Sequence, residues 1–137
     1  MNINQNLNNK KIILTGGSRG IGLSILDKLY SCGSKILIIG SNNENLIEAQ
    51  KKYPEILIEN LNLKNQEKIK QSFENCHERL GGLDVLVNNA GITKDNLAIR
   101  MSLDEWQKVI NINLTSTFLM SKFAIKKMLK NKSGKIV

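Results

Sequence analysis

The apolar positions along this chain follow two alternating rhythms. Short runs in which nearly every residue is apolar, Ile12-Ile13-Leu14, Lys35 to Ile39, Ile56 to Ile58 and Val85-Leu86-Val87, have the length and continuity of strands covered on both faces. Between them lie longer segments whose apolar residues recur every three or four positions, the spacing of one helix face. Ile21, Ile25, Leu29 and Cys32 form such a stripe, and Gly33 is placed to end that helix in a left-handed residue. Asn43 to Lys52 is helical, and Pro54 stops anything beyond it. Asn65 stands where it would cap a helix with Ile69, Phe73, Cys76 and Leu80 along one stripe, closed by Gly81-Gly82. Ser102-Leu103-Asp104-Glu105 has the spacing of a capping box and opens a helical stretch to about Lys130, with a break predicted near Asn113. Ser133 to Val137 reads as a turn entering a fifth strand. Strands alternating with helices predict an α/β fold, a doubly wound parallel sheet with right-handed crossovers and spatial order 3-2-1-4 for its first four strands. Residues 1–9 are a polar, Asn-rich segment, and residues 10–137 are expected to form one domain whose C-terminal part is missing.

The first strand runs into Thr15-Gly16-Gly17-Ser18-Arg19-Gly20-Ile21-Gly22, which leads directly into the first helix. Strand, glycine-rich turn and helix together open a dinucleotide-binding βαβ unit. Gly16 lets the chain turn off the strand, Gly20 lets backbone approach a pyrophosphate, and Gly22 lets the helix pack closely. The pyrophosphate would rest on the free N–H groups and the positive end of the helix. The spacing T-G-x-x-x-G-x-G is not that of a P-loop, which ends in Gly-Lys-Ser/Thr. The bland alternative is a turn whose glycines serve turn geometry alone.

The end of the second strand bears on which dinucleotide. A carboxylate there holds the ribose 2′-OH of NAD, whereas here the strand runs into Gly40-Ser41-Asn42. Without that carboxylate a 2′-phosphate meets no repulsion. Arg19 can pair with such a phosphate and Ser41 and Asn42 can donate hydrogen bonds to it, so the sequence predicts NADP(H). The competing reading of Arg19 is a solvated surface charge. Asn88-Asn89-Ala90-Gly91 follows the fourth strand, at the carboxyl end of the sheet where ligands bind in open α/β folds. Small residues there admit a ribose against backbone, and the Asn amides can tie neighbouring strands together.

These motifs resemble the short-chain dehydrogenase/reductase family, from about Lys10 to the last residue. The glycine turn has that family's form, and Asn88-Asn89-Ala90-Gly91 matches its second hallmark. The resemblance implies that Thr15, Gly16, Ser18, Arg19, Gly20, Ile21, Gly22, Ser41, Asn62, Leu63, Asn89, Ala90 and Gly91 contact the cofactor. Asn62-Leu63 aligns with an Asp-Val pair that meets the adenine, with Asn in place of Asp. Asn113 matches the catalytic Asn, which holds a water in the family's proton relay. The stretch from Asn88 to Leu97, with Arg100-Met101 and Trp106, is most similar to the branch that reduces 3-oxoacyl groups on acyl-carrier protein in fatty acid synthesis. Acetoacetyl-CoA reductases share much of it and stay open, as does a non-catalytic NADP-binding protein. A methyltransferase of related fold is disfavoured, because such proteins also carry an acid after the second strand.

The family's chemistry needs a Ser and a Tyr-x-x-x-Lys, in which the Tyr hydroxyl protonates the carbonyl oxygen as hydride arrives. The chain has only Tyr30 and Tyr53, and neither has Lys four residues on. The chain is therefore expected to be the N-terminal part of a longer reductase, inactive by itself, and the family's helix pairing implies a homotetramer.

Charge adds one further element. The 137 residues carry 20 basic and 12 acidic side chains, a formal +8, and Lys122, Lys126, Lys127, Lys130, Lys132 and Lys135 crowd the C-terminal helix and turn. A solvated helix face is one reading. The other, implied by the resemblance, is that the Lys126 to Lys135 region receives an acidic acyl-carrier protein. No aromatics interleave with the lysines from Lys126 onward, which speaks against nucleic acid. No run approaches the ~20 apolar residues of a membrane span and Met1 to Asn9, without an apolar core, reads as neither signal peptide nor anchor, so the expected location is cytoplasmic. Cys32 and Cys76 read as small apolar residues of a reducing compartment, and no metal ligand spacing is found.

Overall fold

The computed structural model describes residues 6–137. Five parallel strands lie in the order β3-β2-β1-β4-β5: β1 Lys11–Thr15, β2 Lys35–Gly40, β3 Leu57–Asn60, β4 Val85–Asn88 and β5 Lys135–Ile136. The connecting helices are α1 Gly20–Ser31, α2 Asn43–Lys52, α3 Gln66–Leu80, α4 Leu103–Val109 and α5 Ser116–Asn131, with a π-helical segment, Ile110–Thr115, between the last two. Both the predicted order of the first four strands and the fold class hold. The third strand starts one residue later than the apolar run suggested and extends to Asn60.

Successive residues of a strand point to opposite faces, so each central strand feeds two cores. Ile13, Leu37, Ile39 and Leu86 pack under α3 and α5, against Ile69, Phe73, Cys76, Met120 and Ala124. Leu14, Ile36 and Ile38 pack on the other face under α1 and α2, against Leu26, Leu46, Ala49 and Tyr53. This double cover is why β1 and β2 are apolar without alternation.

Two predicted local features differ. In α1 the buried residues are Gly22 and Leu26, whereas Ile21 is 78% exposed and Ile25 and Leu29 are only partly covered. The helix is seated by the close approach of Gly22 to the turn before it, which rotates the Ile21 line outward. Asn65 occupies the cap position of α3, but its side chain makes no capping hydrogen bond. The capping box of α4 is complete: Ser102 Oγ accepts from the Glu105 N–H at 3.2 Å and Glu105 accepts from the Ser102 N–H at 2.9 Å. The predicted break near Asn113 is the π-helical segment, a bulge common where a helix serves a site.

At the β3 edge, Arg79 donates to Glu59 at 2.8 Å and to the Ile58 carbonyl at 2.9 Å, and Ser72 donates to Glu59 at 2.6 Å. Buried Cys76 lies beside this network, and its thiol is pushed up to about 12, first by burial and then by Glu59. Such a thiol is chemically quiet, as the sequence suggested. Among the described residues no helix is long and apolar enough to cross a membrane.

Candidate functional site: a cleft at the carboxyl ends of the strands

The site begins where β1 ends. Thr15 is 2% exposed, and its hydroxyl accepts from the backbone N–H groups of Asn89 at 3.1 Å and Ala90 at 3.0 Å. Asn89 answers with its side-chain amide, donating to the carbonyls of Thr15 at 3.2 Å and Gly16 at 3.1 Å. These four bonds fasten the turn after β1 to the chain leaving β4, the tie predicted for the Asn amides. Asn88 extends the stitching by donating to Ser121 of α5 at 3.2 Å.

Gly22 depends on that seam. A Cβ added there would lie 1.9 Å from the Gly16 carbonyl oxygen and 2.5 Å from Asn89 Nδ2, so no side chain fits. Its close contact is thus with the turn and Asn89. Gly20 is the opposite case: at φ +54 it needs a left-handed backbone, yet an added Cβ would meet no atom of the chain within 4 Å. It faces open space. No side chain caps α1 at Arg19, and no acid stands in its first turn, which leaves the first amides of the helix free for an anion.

A cleft of about 590 Å³ opens over this turn. Twelve of the predicted site residues line it: Gly16, Ser18, Arg19, Gly20, Ile21, Gly22, Ser41, Asn62, Leu63, Asn89, Ala90 and Gly91. Thr15 and Asn113 do not reach its surface. Thr15 lies beneath it as the tether described above. Asn113 clasps the backbone of Ile92, accepting from its N–H at 2.8 Å and donating to its carbonyl at 2.9 Å. The π-helical turn aims this amide, and hydroxyls of Ser116 and Thr117 donate back to the carbonyls of Ile112 and Asn113 at 2.5 Å and 2.8 Å. Sequence reasoning missed Ile39, Gly40, Asn45, Leu61, Ile92 and Ile112 as lining residues. Ile112 and Ile92 adjoin motif residues and could have been found by adjacency, whereas Asn45 is reached only through the folding of α2.

Arg19 is the sole ionisable residue among those lining the cleft, so the surface attracts anions. At the β2 end, Asn42 caps α2 by accepting from the Asn45 N–H at 2.8 Å, which commits its oxygen and leaves its NH2. Asn62 similarly accepts from the Lys64 N–H at 3.0 Å. Among the described residues, no Tyr, His, Lys or carboxylic acid lines the cleft. Tyr53 is buried among the α1–α2 core residues, donates to Asp27 at 2.7 Å and packs tilted against Tyr30 with ring centroids 5.0 Å apart.

The cluster of lysines is less uniform than its sequence suggested. Lys127 bridges to Glu74 of α3 at 2.5 Å, and this ammonium holds the Glu74 carboxyl below the ordinary carboxylate range. Lys122 lies 5.9 Å over the Phe118 ring. Lys126, Lys130, Lys132 and Lys135 are exposed.

A parallel sheet whose first crossover passes through a glycine-rich turn, with a cleft at the strand ends, is a Rossmann-type α/β arrangement. The chain belongs to the short chain dehydrogenase family, whose sequence pattern matches residues 10–137. It is 41% identical over 136 residues to the 3-oxoacyl-[acyl-carrier-protein] reductase FabG of Aquifex aeolicus, covering 96% of this chain and 55% of that protein. The protein of the same name from Rickettsia prowazekii is 42% identical over 132 residues, covering 96% of this chain and 53% of its own length. The chain thus spans about half the length of the curated relatives it matches. A short-chain dehydrogenase from Streptomyces avermitilis superposes with a TM-score of 0.87 at 23% identity, over 93% of this chain and 47% of that one, which speaks to the fold alone.

Proposed function

We propose that this chain is the cofactor-holding part of an NADPH-dependent oxidoreductase that reduces a 3-oxoacyl thioester, carried on acyl-carrier protein, to the 3-hydroxyacyl form in fatty acid synthesis. The observation that carries the reading is the α1 entrance: a helix N-terminus with free amides, no acid in its first turn, and Arg19 beside it in a cleft without carboxylates. The names of the FabG relatives support the substrate class. When bound, the nicotinamide cofactor supplies a hydride. The residues of this chain would do the rest of the holding. The α1 amides and Gly20 receive the pyrophosphate, and Arg19, Ser41 and the Asn42 amide receive the 2′-phosphate. Asn62 and Leu63 flank the adenine, and Asn89, Ala90 and Gly91 lie along the ribose. Asn113 keeps the Ile92 segment in place and is the candidate member of a water-borne proton relay. Acyl-carrier protein would dock on the free lysines Lys126, Lys130, Lys132 and Lys135, with Lys127 already committed to Glu74. We further propose a homotetramer for the reductase and a cytoplasmic location.

The product alkoxide must take a proton, and neither tyrosine here can give one at the cleft. The 137 residues by themselves should bind NADP(H) without turnover, since losing a general acid costs about 10²–10⁴-fold. Titration calorimetry with NADP+ and NAD+, alongside NADPH oxidation by an acetoacetyl thioester, tests the reading. Arg19→Ala should lose about 1.5–3 kcal/mol of NADP+ binding and leave NAD+ nearly unchanged. Equal losses, or turnover by the chain within tenfold of a complete reductase, would overturn it. In such a reductase, Lys130→Glu with Lys132→Glu should raise KM for carrier-linked substrate and spare a small thioester; equal effects would make the lysines merely solvated.

A further inference from the structure

At the carboxyl end of β2 the cleft wall is made by the start of α2. Gly40 presents no side chain, and one there would be crowded: an added Cβ would lie 3.1 Å from Cδ2 of the fully buried Leu46 and 3.4 Å from Ser18 Oγ. The side chains at this end are therefore Ser41, Asn42 and Asn45, together with Arg19. Asn42 and Asn45 are three residues apart, neighbours on one helical turn, and the Asn45 backbone N–H donates to Asn42 Oδ1 at 2.8 Å. That bond occupies the Asn42 oxygen. It uses only the backbone of Asn45, whose side-chain amide has no partner among the described residues.

The same chain provides an internal comparison. In α4 the third helical position is Glu105, which completes a capping box and lies outside the cleft. In α2 the equivalent position is Asn45, which lines the cleft. A Glu is the favoured partner at that position because it bonds the cap N–H and complements the helix dipole. At position 45 it would also place a negative charge in the cleft beside Arg19. The residue found there is a neutral hydrogen-bond donor.

We propose that Asn45 is a specificity-determining residue of this cleft, selecting NADP(H) over NAD(H) by donating its side-chain amide to the 2′-phosphate. The inference rests on the NADP reading above. It adds a second element, the first turn of α2, to a selectivity that Arg19 alone would place in the glycine turn. Asn42 and Asn45, the cleft-lining residues at the start of α2, are uncharged, and Glu44 of the same turn lies outside the lining, so the charge at position 45 should set the degree of discrimination.

The experiment titrates the protein with adenosine 2′,5′-bisphosphate and 5′-AMP, which probe only this end of the cleft, and with NADP+ and NAD+. Asn45→Asp should weaken the two 2′-phosphorylated ligands about tenfold and Asn45→Lys should tighten them several-fold, with 5′-AMP and NAD+ within about twofold throughout. Both shifts should shrink in 0.5 M salt, where screening is stronger. Asp is favoured in the first turn of a helix, so the melting temperature of Asn45→Asp should match or exceed that of the parent and exclude unfolding as the cause. If the parent protein discriminates and the Asn45 variants discriminate equally well, or lose both ligand classes alike, this inference is wrong while the NADP reading stands. If the parent shows no preference for a 2′-phosphate, the NADP reading fails and this inference with it.

Discussion

The two sides of the cleft are built in different ways. On the side of β1 and β4, backbone is packed against backbone: Gly22 touches the Gly16 carbonyl, and four hydrogen bonds join Thr15 and Gly16 to Asn89 and Ala90 across the seam. On the far side, the chain from Gly91 to Met101 runs without regular structure, with Leu97 and Ile99 60% and 92% exposed, and Asn113 holds its start at Ile92. The first side has no room for an added atom at Gly22, whereas the start of the second is held by two exposed bonds, with Asn96 bonding Arg100 and Glu105 further along. A site needs such a difference. On the function proposed above, the closely packed side would fix the pyrophosphate and the lightly tethered side would admit a substrate.

The sharpest way to break the contrast is Gly22→Ala. The methyl group would overlap the Gly16 oxygen, and the helix could relieve this only by withdrawing from the turn, which also breaks the Asn89 bonds. A loss of about 3 kcal/mol or more in unfolding free energy is expected from urea denaturation, with loss of NADP+ binding in the same variant. A drop under about 1 kcal/mol would mean that the seam is looser than its geometry indicates. Gly20→Ala supplies the control. Its methyl group meets no chain atom, so it should cost only about 1–2 kcal/mol for its left-handed backbone, while still obstructing an anion on the helix end.

Thr15→Val comes next in size. The shape is kept and the hydroxyl is lost, so the N–H groups of Asn89 and Ala90 are left beneath the cleft without their acceptor. Thermal or urea unfolding should register about 1–3 kcal/mol, the cost of stranded buried donors. Thr15→Ser, which keeps the oxygen, should recover most of it. Failure of Ser to rescue would assign the loss to packing and would remove Thr15 from the seam's polar framework.

Much of this seam was legible in the sequence, because its residues are consecutive: the glycine spacing and the Asn-Asn-Ala-Gly tetrapeptide each lie on one short stretch next to a strand. The α3 core stripe was legible for the same reason, since Ile69, Phe73, Cys76 and Leu80 bury along a single regular helix. The α1 stripe held at Ile25, Leu29 and Cys32, which pack on or in the core, and failed at Ile21, because Gly22, with no side chain to signal it, draws the helix down and turns Ile21 outward. Asn65 was misjudged because cap preference describes a residue type, and here the side chain takes no part. Asn45 was invisible because it reaches the cleft by the folding back of α2, and nothing in its neighbours marks it. The clasp of Asn113 on Ile92 links residues 21 apart, and only its consequence, a disturbed helix, could be anticipated.

The smallest effect is expected at that clasp, and it tests the lightly tethered side. Asn113→Ala removes both bonds to Ile92, but the groups involved are exposed, so water replaces what the side chain gave and the global cost should be about 0.5–1.5 kcal/mol, that of ordinary solvent-reachable hydrogen bonds. The local consequence is larger in kind. The π-helical turn is shaped so that one amide can face one peptide, and without it the turn can revert towards regular α-helix. Amide exchange at Ile92 and across the 91–101 segment should quicken, while exchange at Asn89 and Ala90, protected by Thr15, should stay slow. Asn113→Asp gives a graded version, keeping an acceptor for the Ile92 N–H but setting a carboxylate against the Ile92 carbonyl, so exchange should quicken there too. If exchange at Asn89 accelerates as much as at Ile92 in either variant, the two sides of the cleft open together, and the contrast between a rigid seam and a tethered rim does not describe this protein.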